Sequence, residues 1–180
     1  LENKKIIVVG SHSYNKGYDL LLKVWGNIEQ KHSDWELNVY GKYDKNNTFV
    51  KMSDDMGLKN VKFHNPVKNI KDKYLESSIM LLTSRSEGFG MVLIEAMECG
   101  LPCVSFDCPS GPADIIKDGD DGFLIQPESI NEMTEKLLLL VENKELRKTM
   151  GEHAKENVKR FSPNNIVRLW DELFKSLINR

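Results

Sequence analysis

Apolar residues along the chain follow two alternating patterns. Short runs of β-branched and aliphatic residues, typical of buried strands, occur at residues 6–9, 37–40, 61–63, 79–82, 103–106 and 123–125. Segments with apolar residues at helical spacing lie between them, at residues 18–28, 50–56, 70–77 and 91–99. Strand and helix therefore alternate over the first two thirds of the chain, which predicts a parallel sheet with helices on both faces.

The last third of the chain shows only helical periodicity, from Ser129 onward. Ser162 followed by Pro163 is typical of a helix start, so a final helix is predicted from Pro163 to about Asn179. Its apolar stripe consists of Ile166, Val167, Leu169, Trp170, Leu173, Phe174, Leu177 and Ile178. This stripe is broader than a terminal helix on a small domain usually needs, and the exposure of Trp170 tests whether it packs entirely on this domain.

Six alternating strands with right-handed crossovers can be arranged in few ways, of which the doubly wound order 3-2-1-4-5-6 is the commonest. We therefore predict an α/β fold: a Rossmann-like three-layer sandwich with a six-stranded parallel sheet in that order, plus C-terminal helices. Ligands of such sheets bind outside the carboxyl ends of the strands where the strand order reverses. In this chain those positions are just after Val9 and just after Leu82.

Composition favours one soluble domain without a polyanionic partner. A chain of 180 residues with 40% hydrophobic content is long enough for one sizeable core. Its 25 basic and 27 acidic residues leave a net charge of -2, and no run of like charges indicates nucleic-acid or polybasic membrane binding. The three cysteines lack metal-site spacing, which indicates reduced core thiols and a cytoplasmic setting. The first residues resemble neither a signal peptide nor a Met start, so the chain is interpreted as a piece of a larger protein.

The turn after the fourth predicted strand is rich in glycine and leads directly into a helix. Gly88 and Gly90 would let a phosphate approach the backbone, and the free N–H groups of the helix start favour an anion. On glycine spacing alone, a plain tight turn is an equally good interpretation. Glu95 favours a site, because a carboxylate in an otherwise apolar helix needs donors. Ribose hydroxyls would serve, and a buried ion pair with Arg85 is the alternative.

Glu87, Gly88, Phe89 and Gly90, with Glu95 eight positions after Glu87, resemble the motif of retaining glycosyltransferases of family 4. Further segments resemble that family in the same order: residues 6–10 with 16–21, residues 100–104, residues 111–116, and residues 118–124. The resemblance implies that residues 1–180 are a single donor-binding, C-terminal domain of a GT-B enzyme with two Rossmann-like domains. The N-terminal acceptor domain would then be absent from this chain.

The resemblance also implies roles for individual residues. Glu87 would contact hydroxyls of the donor sugar, Glu95 would hold the ribose, and Lys16 would oppose the diphosphate and assist departure of the leaving group. Glu87 and Lys16 are therefore the predicted catalytic residues. The predicted donor-binding residues are Gly10, Ser11, His12, Lys16, Asn65, Val67, Arg85, Glu87, Gly88, Phe89, Gly90, Met91, Val92 and Glu95. Backbone N–H groups of residues 88–92 would take sugar and diphosphate oxygens.

This chain departs from the family pattern after its first strand. The family usually has arginine directly after the glycine, where this chain has Ser11 and then His12. Charge compensation would then rest on Lys16, helped by His12 or Arg85. A lone loop histidine is compatible with either a surface position or a phosphate contact. Asn65 stands where glycine is common and could adopt its left-handed conformation, while residues 42–44 replace the usual glycine and proline, so the base is not predicted.

The resemblance implies transfer with retention, from a nucleotide-diphosphate sugar such as a UDP- or GDP-sugar, without cofactor or metal. The acceptor would be a glycan, a lipid-linked saccharide or a polysaccharide. The predicted partners are the nucleotide sugar and the missing N-terminal acceptor domain, to which the last helix would cross. No nucleic acid is expected, and membrane association at the inner face would occur only through that missing domain.

Two rival functions remain open on the sequence. The first is a non-catalytic nucleotide-binding or interaction domain, which the missing arginine would suit. The second is a nicotinamide-binding Rossmann domain. It is disfavoured because residues 10–13 lack the Gly-x-Gly-x-x-Gly pattern that a dinucleotide needs at the first turn.

Overall fold

Six parallel strands form the sheet that the sequence predicts. The computed structural model describes residues 1–178. The strands are β1 (Lys5–Val9), β2 (Glu36–Tyr40), β3 (Val61–His64), β4 (Ile79–Leu82), β5 (Cys103–Phe106) and β6 (Gly122–Ile125). Their order in the sheet is β3-β2-β1-β4-β5-β6, with every neighbouring pair parallel. The doubly wound order is thereby confirmed, and β1 and β4 lie side by side at the centre.

Helices connect the strands and complete the C-terminal third. They are α1 (Tyr18–Glu29), α2 (Thr48–Asp55), α3 (Ile70–Leu75), α4 (Met91–Glu98), α5 (Pro112–Ile115), α6 (Ile130–Glu142), α7 (Lys144–Asn157) and α8 (Pro163–Ile178), with a 3-10 turn at Val158–Phe161. The four helical segments predicted between the strands are all present. The one-turn helix α5 was not predicted, because four residues are too few to show a helical period.

Alternate residues of the strands enter two hydrophobic cores, one on each face of the sheet. Ile6 and Val8 of β1 pack on one face with buried residues of α1 and α6, including the fully buried Trp25. Ile7 packs on the other face with Leu93 and other residues of α4. This alternation follows from the two-residue period of a strand, and it confirms the three-layer sandwich.

Local contacts explain why α2 and β6 begin before their apolar patterns do. The backbone N–H groups of Asn46 and Thr48 donate to the Asp44 carboxylate, so α2 begins two residues earlier than predicted. At the start of β6, a Cβ on Gly122 would lie 2.3 Å from the carbonyl oxygen of Cys103, so a glycine there allows β6 to lie close to β5.

The cysteines are free thiols, with Cys103 and Cys108 buried and Cys99 half-buried. Burial raises the pKa of each thiol. Among residues 1–178, no helix is long and apolar enough to cross a membrane. No group of metal-ligating side chains is found in the same residues.

The last helix begins at Pro163 as predicted and is described as far as Ile178. The predicted end near Asn179 lies outside the described residues. No residue of α8 is buried, and Trp170 is 54% exposed. The interpretation that this helix packs entirely on its own domain is therefore wrong, because its apolar stripe lies open to solvent.

Candidate functional site

The turn after β1 and the turn after β4 are joined at the carboxyl edge of the sheet. The Arg85 backbone N–H donates to the carbonyl of Asn15, and the Asn15 side chain donates to the carbonyl of Ser86. The Thr83 hydroxyl donates to the carbonyl of Lys16. A Cβ on Gly17 would lie 1.9 Å from the Thr83 carbonyl oxygen, so the two turns touch through their backbones. These contacts place Lys16 beside the start of the glycine turn.

Lys16 and Glu87, the two predicted catalytic residues, form an ion pair. The Lys16 ammonium lies 2.6 Å and 2.8 Å from the two carboxylate oxygens of Glu87. The Ser84 hydroxyl also donates to Glu87, at 2.5 Å. The Glu87 side chain is only 7% exposed and that of Lys16 is 25% exposed. The structure therefore brings together the cation and the carboxylate that the sequence analysis assigned to different parts of a donor.

The glycine turn leaves the start of α4 open. Gly90 has a left-handed φ of 92° and precedes Met91, and no side chain caps the helix. Gly88 is exposed, and a Cβ there would meet nothing within 4 Å. The turn packs closely on Gly111. A Cβ on Gly111 would lie 1.8 Å from the Phe89 carbonyl oxygen. Uncapped N–H groups beside open space can donate hydrogen bonds to an anion.

Glu95 lies half-buried in α4 and accepts a hydrogen bond from the Tyr74 hydroxyl at 3.1 Å. Burial and the nearby Glu95 carboxylate raise the pKa of Tyr74, which keeps this phenol a donor. The alternative ion pair between Glu95 and Arg85 is wrong, because Arg85 pairs with other carboxylates. One donor leaves Glu95 with acceptor capacity for further hydroxyl groups.

Arg85 braces the turn after β4 against α1. Its guanidinium makes a bidentate contact with Asp19, at 2.8 Å for both hydrogen bonds, and its Nε lies 2.6 Å from Glu128. It also stacks over the Tyr14 ring at 3.8 Å. The hydrogen bond with Asp19 raises the pKa of Arg85 and lowers that of Asp19. Two carboxylates thus already neutralise the charge that was expected to help hold a diphosphate.

His12 fits neither a surface position nor a phosphate contact. It is 4% exposed and lies among the rings of Tyr18, Tyr43 and Phe63, at centroid distances of 5.0, 4.7 and 5.3 Å. Neither ring nitrogen has a hydrogen-bond partner within the described residues. Burial lowers the pKa of His12, partly offset by the Asp44 carboxylate. The expected cationic helper is therefore a neutral, packed ring.

Asn65 and Val67, two of the predicted donor-binding residues, lie exposed after β3. Val67 lines a groove of about 390 Å³ together with Gly10 and Ser11. Within the described residues, left-handed φ values outside glycine occur only at Asn47, Ser110 and Glu128, so the left-handed conformation suggested for Asn65 is wrong.

Several residues of the site were missed by the sequence analysis. Ser84 and Tyr74 bind the two glutamates, and Asp19 binds Arg85. Asp19 and Arg85 are 66 positions apart, so nothing in the local pattern pairs them. A serine three residues before Glu87 and an acidic residue in the first turn of α1 are common features that gave no usable signal.

A doubly wound parallel sheet with an open helix start and an ion pair at its switch point defines a Rossmann-like domain. A TarM mutant of S. aureus, solved in complex with Fondaparinux, alpha-GlcNAc-glycerol and UDP, superimposes with a TM-score of 0.90 and 31% identity, over 96% of this chain and 35% of that chain. The profile of the family described as "Glycosyl transferases group 1" matches residues 1–157. The chain belongs to this family.

Two curated relatives agree with that assignment. An amylovoran biosynthesis glycosyltransferase of Erwinia amylovora is 31% identical over 96% of this chain and 48% of its own length. A poly(ribitol-phosphate) alpha-N-acetylglucosaminyltransferase of Staphylococcus aureus is 34% identical over 89% of this chain and 33% of its own length. The chain thus spans about half or less of these relatives.

Proposed function

We propose that this chain binds a nucleotide-diphosphate sugar and supplies the donor site of a retaining glycosyltransferase of family 4. The observation that carries the proposal is the Lys16–Glu87 pair, which lies between the ends of β1 and β4 and next to the uncapped start of α4. A cation and free N–H groups suit a diphosphate, and a carboxylate beside them suits sugar hydroxyls. The UDP named for the TarM complex is consistent with this chemistry.

In this proposal the donor breaks the Lys16–Glu87 ion pair. Its diphosphate binds Lys16, and its sugar binds Glu87. The diphosphate takes over the Lys16 ammonium, and the N–H groups of residues 88–92 bind its remaining oxygens. Glu87, released from Lys16 but still held by Ser84, accepts from hydroxyls of the donor sugar. Glu95 accepts from the ribose hydroxyls while Tyr74 fixes its orientation. Lys16 and Glu87 thus each gain a contact with the donor when their ion pair breaks.

The transfer step breaks the bond between the anomeric carbon and the diphosphate oxygen, and an acceptor oxygen bonds to the same carbon on the same face. The departing phosphate oxygen takes the acceptor proton, and Lys16 with the start of α4 stabilises the negative charge that develops there. The acceptor would be a glycan, a lipid-linked saccharide or a polysaccharide. An inverted product from the full-length enzyme would overturn the proposed stereochemistry.

Ligand-dependent thermal stabilisation tests the donor site directly, since a ligand that binds only the folded state raises its stability. We expect UDP or GDP to raise the melting temperature of the chain and NAD to leave it unchanged. Stabilisation by NAD alone would replace the proposal with a nicotinamide-binding domain.

We further propose that an N-terminal acceptor domain completes the enzyme, so that the isolated chain binds nucleotide weakly and transfers nothing. The short span of the chain relative to its relatives supports this. Turnover by the purified chain would refute it. The rival function, a non-catalytic nucleotide-binding or interaction domain, predicts instead that the full-length protein binds nucleoside diphosphate without turning over any nucleotide sugar.

A further inference from the structure

A groove beside the Lys16–Glu87 pair carries one charged residue. Its walls are apolar, formed by side chains at the ends of β1 and β2 and after β3, and the charged residue that lines it is Lys42. The apolar residues are Val9, Tyr40, Pro66, Val67 and Ile70. Such a surface suits the flat, largely apolar face of a base, and a single cation suits an attached anionic group.

The backbone of Lys42 is held firmly at this edge. A Cβ on Gly41 would lie 1.7 Å from the carbonyl oxygen of Gly10, so glycine lets the turns after β1 and β2 touch. The His12 backbone N–H donates to the Lys42 carbonyl at 2.8 Å. The His12 ring packs on Tyr43, the next residue. The buried His12 therefore fixes the backbone position from which the Lys42 side chain extends.

The groove and the Lys16–Glu87 pair share Gly10. The aliphatic carbons of the Lys16 side chain lie 3.7 Å from where a Cβ of Gly10 would be, and Gly10 also lines the groove. A ligand that fills the groove can thus extend along Gly10 to Lys16. Lys42 and Lys16 would then face the same ligand from two sides.

Lys42 differs from Lys16 and Arg85 in having no carboxylate partner among the described residues. Lys16 is bound to Glu87, Arg85 is bound to Asp19 and Glu128, and His12 is buried without charge. The Lys42 side chain is exposed and makes no ion pair or hydrogen bond within residues 1–178. A lysine without a carboxylate partner breaks no ion pair when it binds an anion, whereas Lys16 and Arg85 must first give up theirs.

We propose that Lys42 binds a phosphate of the nucleoside diphosphate whose base occupies this groove, with His12 as the positioning residue of its backbone. This inference rests on the proposed nucleotide-sugar function. It assigns to Lys42, on the turn after β2, the second fixed charge that the family usually supplies as an arginine directly after the glycine, where this chain has Ser11. Lys16 and Lys42 together would compensate the diphosphate charge.

The test compares UDP and uridine binding to the 180-residue chain, by calorimetry or NMR titration, in wild type, Lys42→Gln and Lys45→Gln. Lys45 is an exposed lysine of the same loop that does not line the groove, and it serves as the matched control. We expect Lys42→Gln to weaken UDP about tenfold, as for loss of one charge-assisted hydrogen bond, and to leave uridine unchanged. The salt dependence of UDP binding should also decrease, while melting temperatures stay equal.

Each other outcome overturns a definite part of the inference. Equal UDP affinity in Lys42→Gln and wild type removes Lys42 from the site but leaves the proposed function intact. A matched loss for UDP and uridine means that Lys42 contacts the base or ribose and overturns the phosphate role. An equal loss in Lys45→Gln reduces the effect to general surface charge. A wild-type chain that binds neither UDP nor GDP overturns the proposed function, and this inference with it.

Discussion

The turns after β1 and β4 both end at a left-handed glycine that begins a helix, yet their surroundings differ. Gly17, with φ 65°, lies against the backbone of Thr83, and the turn before it is filled by the buried His12 ring. Gly90 has a φ of 92°, and a Cβ added there would meet only side chains, at 3.4 Å or more. A Cβ added to Gly88 would face open space. The first turn positions a side chain, Lys16, while the second leaves backbone N–H groups uncapped beside open space.

The proposed site therefore combines a rigid turn after β1 with an open turn after β4. Close contacts in the β1 turn fix the Lys16 backbone relative to β4. The uncapped start of α4 leaves backbone donors for the ligand to satisfy. Changes in the first turn should therefore affect folding, and changes in the second should affect binding and transfer.

The largest effect is expected from Gly17→Ala. Its Cβ would overlap a backbone oxygen and adopt a left-handed φ, so we expect the free energy of unfolding to fall by roughly 3 kcal/mol or more. Gly90→Ala is the matched control, since it has a left-handed φ without a backbone clash and should cost only about 1 kcal/mol. Urea unfolding of both variants measures the difference. Equal losses would show that the β1 turn is no tighter than the β4 turn.

The next effect is expected from Glu87→Gln in the full-length enzyme. The amide keeps the shape but loses the charge that binds Lys16 and the sugar hydroxyls, so kcat should fall about a hundredfold. UDP itself should bind as well or better, because Lys16 loses its competing carboxylate. Glu98→Gln, exposed on the same helix, is the control for steady-state kinetics. Unchanged turnover in Glu87→Gln would remove Glu87 from the catalytic residues.

A smaller effect is expected from Gly88→Ala. The added methyl group meets no protein atom within 4 Å, so the melting temperature should not change. It would occupy the space through which a phosphate reaches the backbone, and UDP should bind about tenfold more weakly. Gly26→Ala, in α1 and away from the site, adds a methyl group at ordinary contact distance and should bind UDP normally. Normal UDP affinity in Gly88→Ala would place the diphosphate elsewhere.

The smallest effect is expected from His12→Phe and concerns pH. The folded-state pKa of His12 lies below its ordinary value of 6.5, so the unfolded chain binds a proton that the folded chain does not. His12 therefore reduces stability as pH falls from about 6.5 towards the lowered value, and Asp44 only partly offsets this. Phenylalanine keeps the aromatic packing without unpaired nitrogens, so its gain over wild type, about 1 kcal/mol, should grow as pH falls.

Melting temperatures of both proteins between pH 7 and pH 5 measure this difference. His64, whose pKa burial also lowers, is present in both and cancels in the comparison. A stability difference that does not change with pH would mean that His12 is not neutral in the folded chain.

The fold could be predicted almost completely, because periodicity is a local property. The short apolar run of β1 and the helical spacing of apolar residues in α1 identify strand and helix without knowledge of their neighbours. Alternation and crossover handedness then leave few sheet orders. The glycine turn and the two glutamates of the candidate site were likewise visible as a pattern.

The doubly wound sheet, its switch point between β1 and β4 and the candidate site residues there can be identified from the amino-acid sequence alone. Which of those charged residues have partners depends on the tertiary structure. Lys16 meets Glu87 across 71 positions and Arg85 meets Asp19 across 66, and His12 is enclosed by rings from three other segments. Ion pairing and desolvation depend on distances between remote segments, which no local pattern contains, and they leave Lys42 as the cation without a partner among the described residues of the groove.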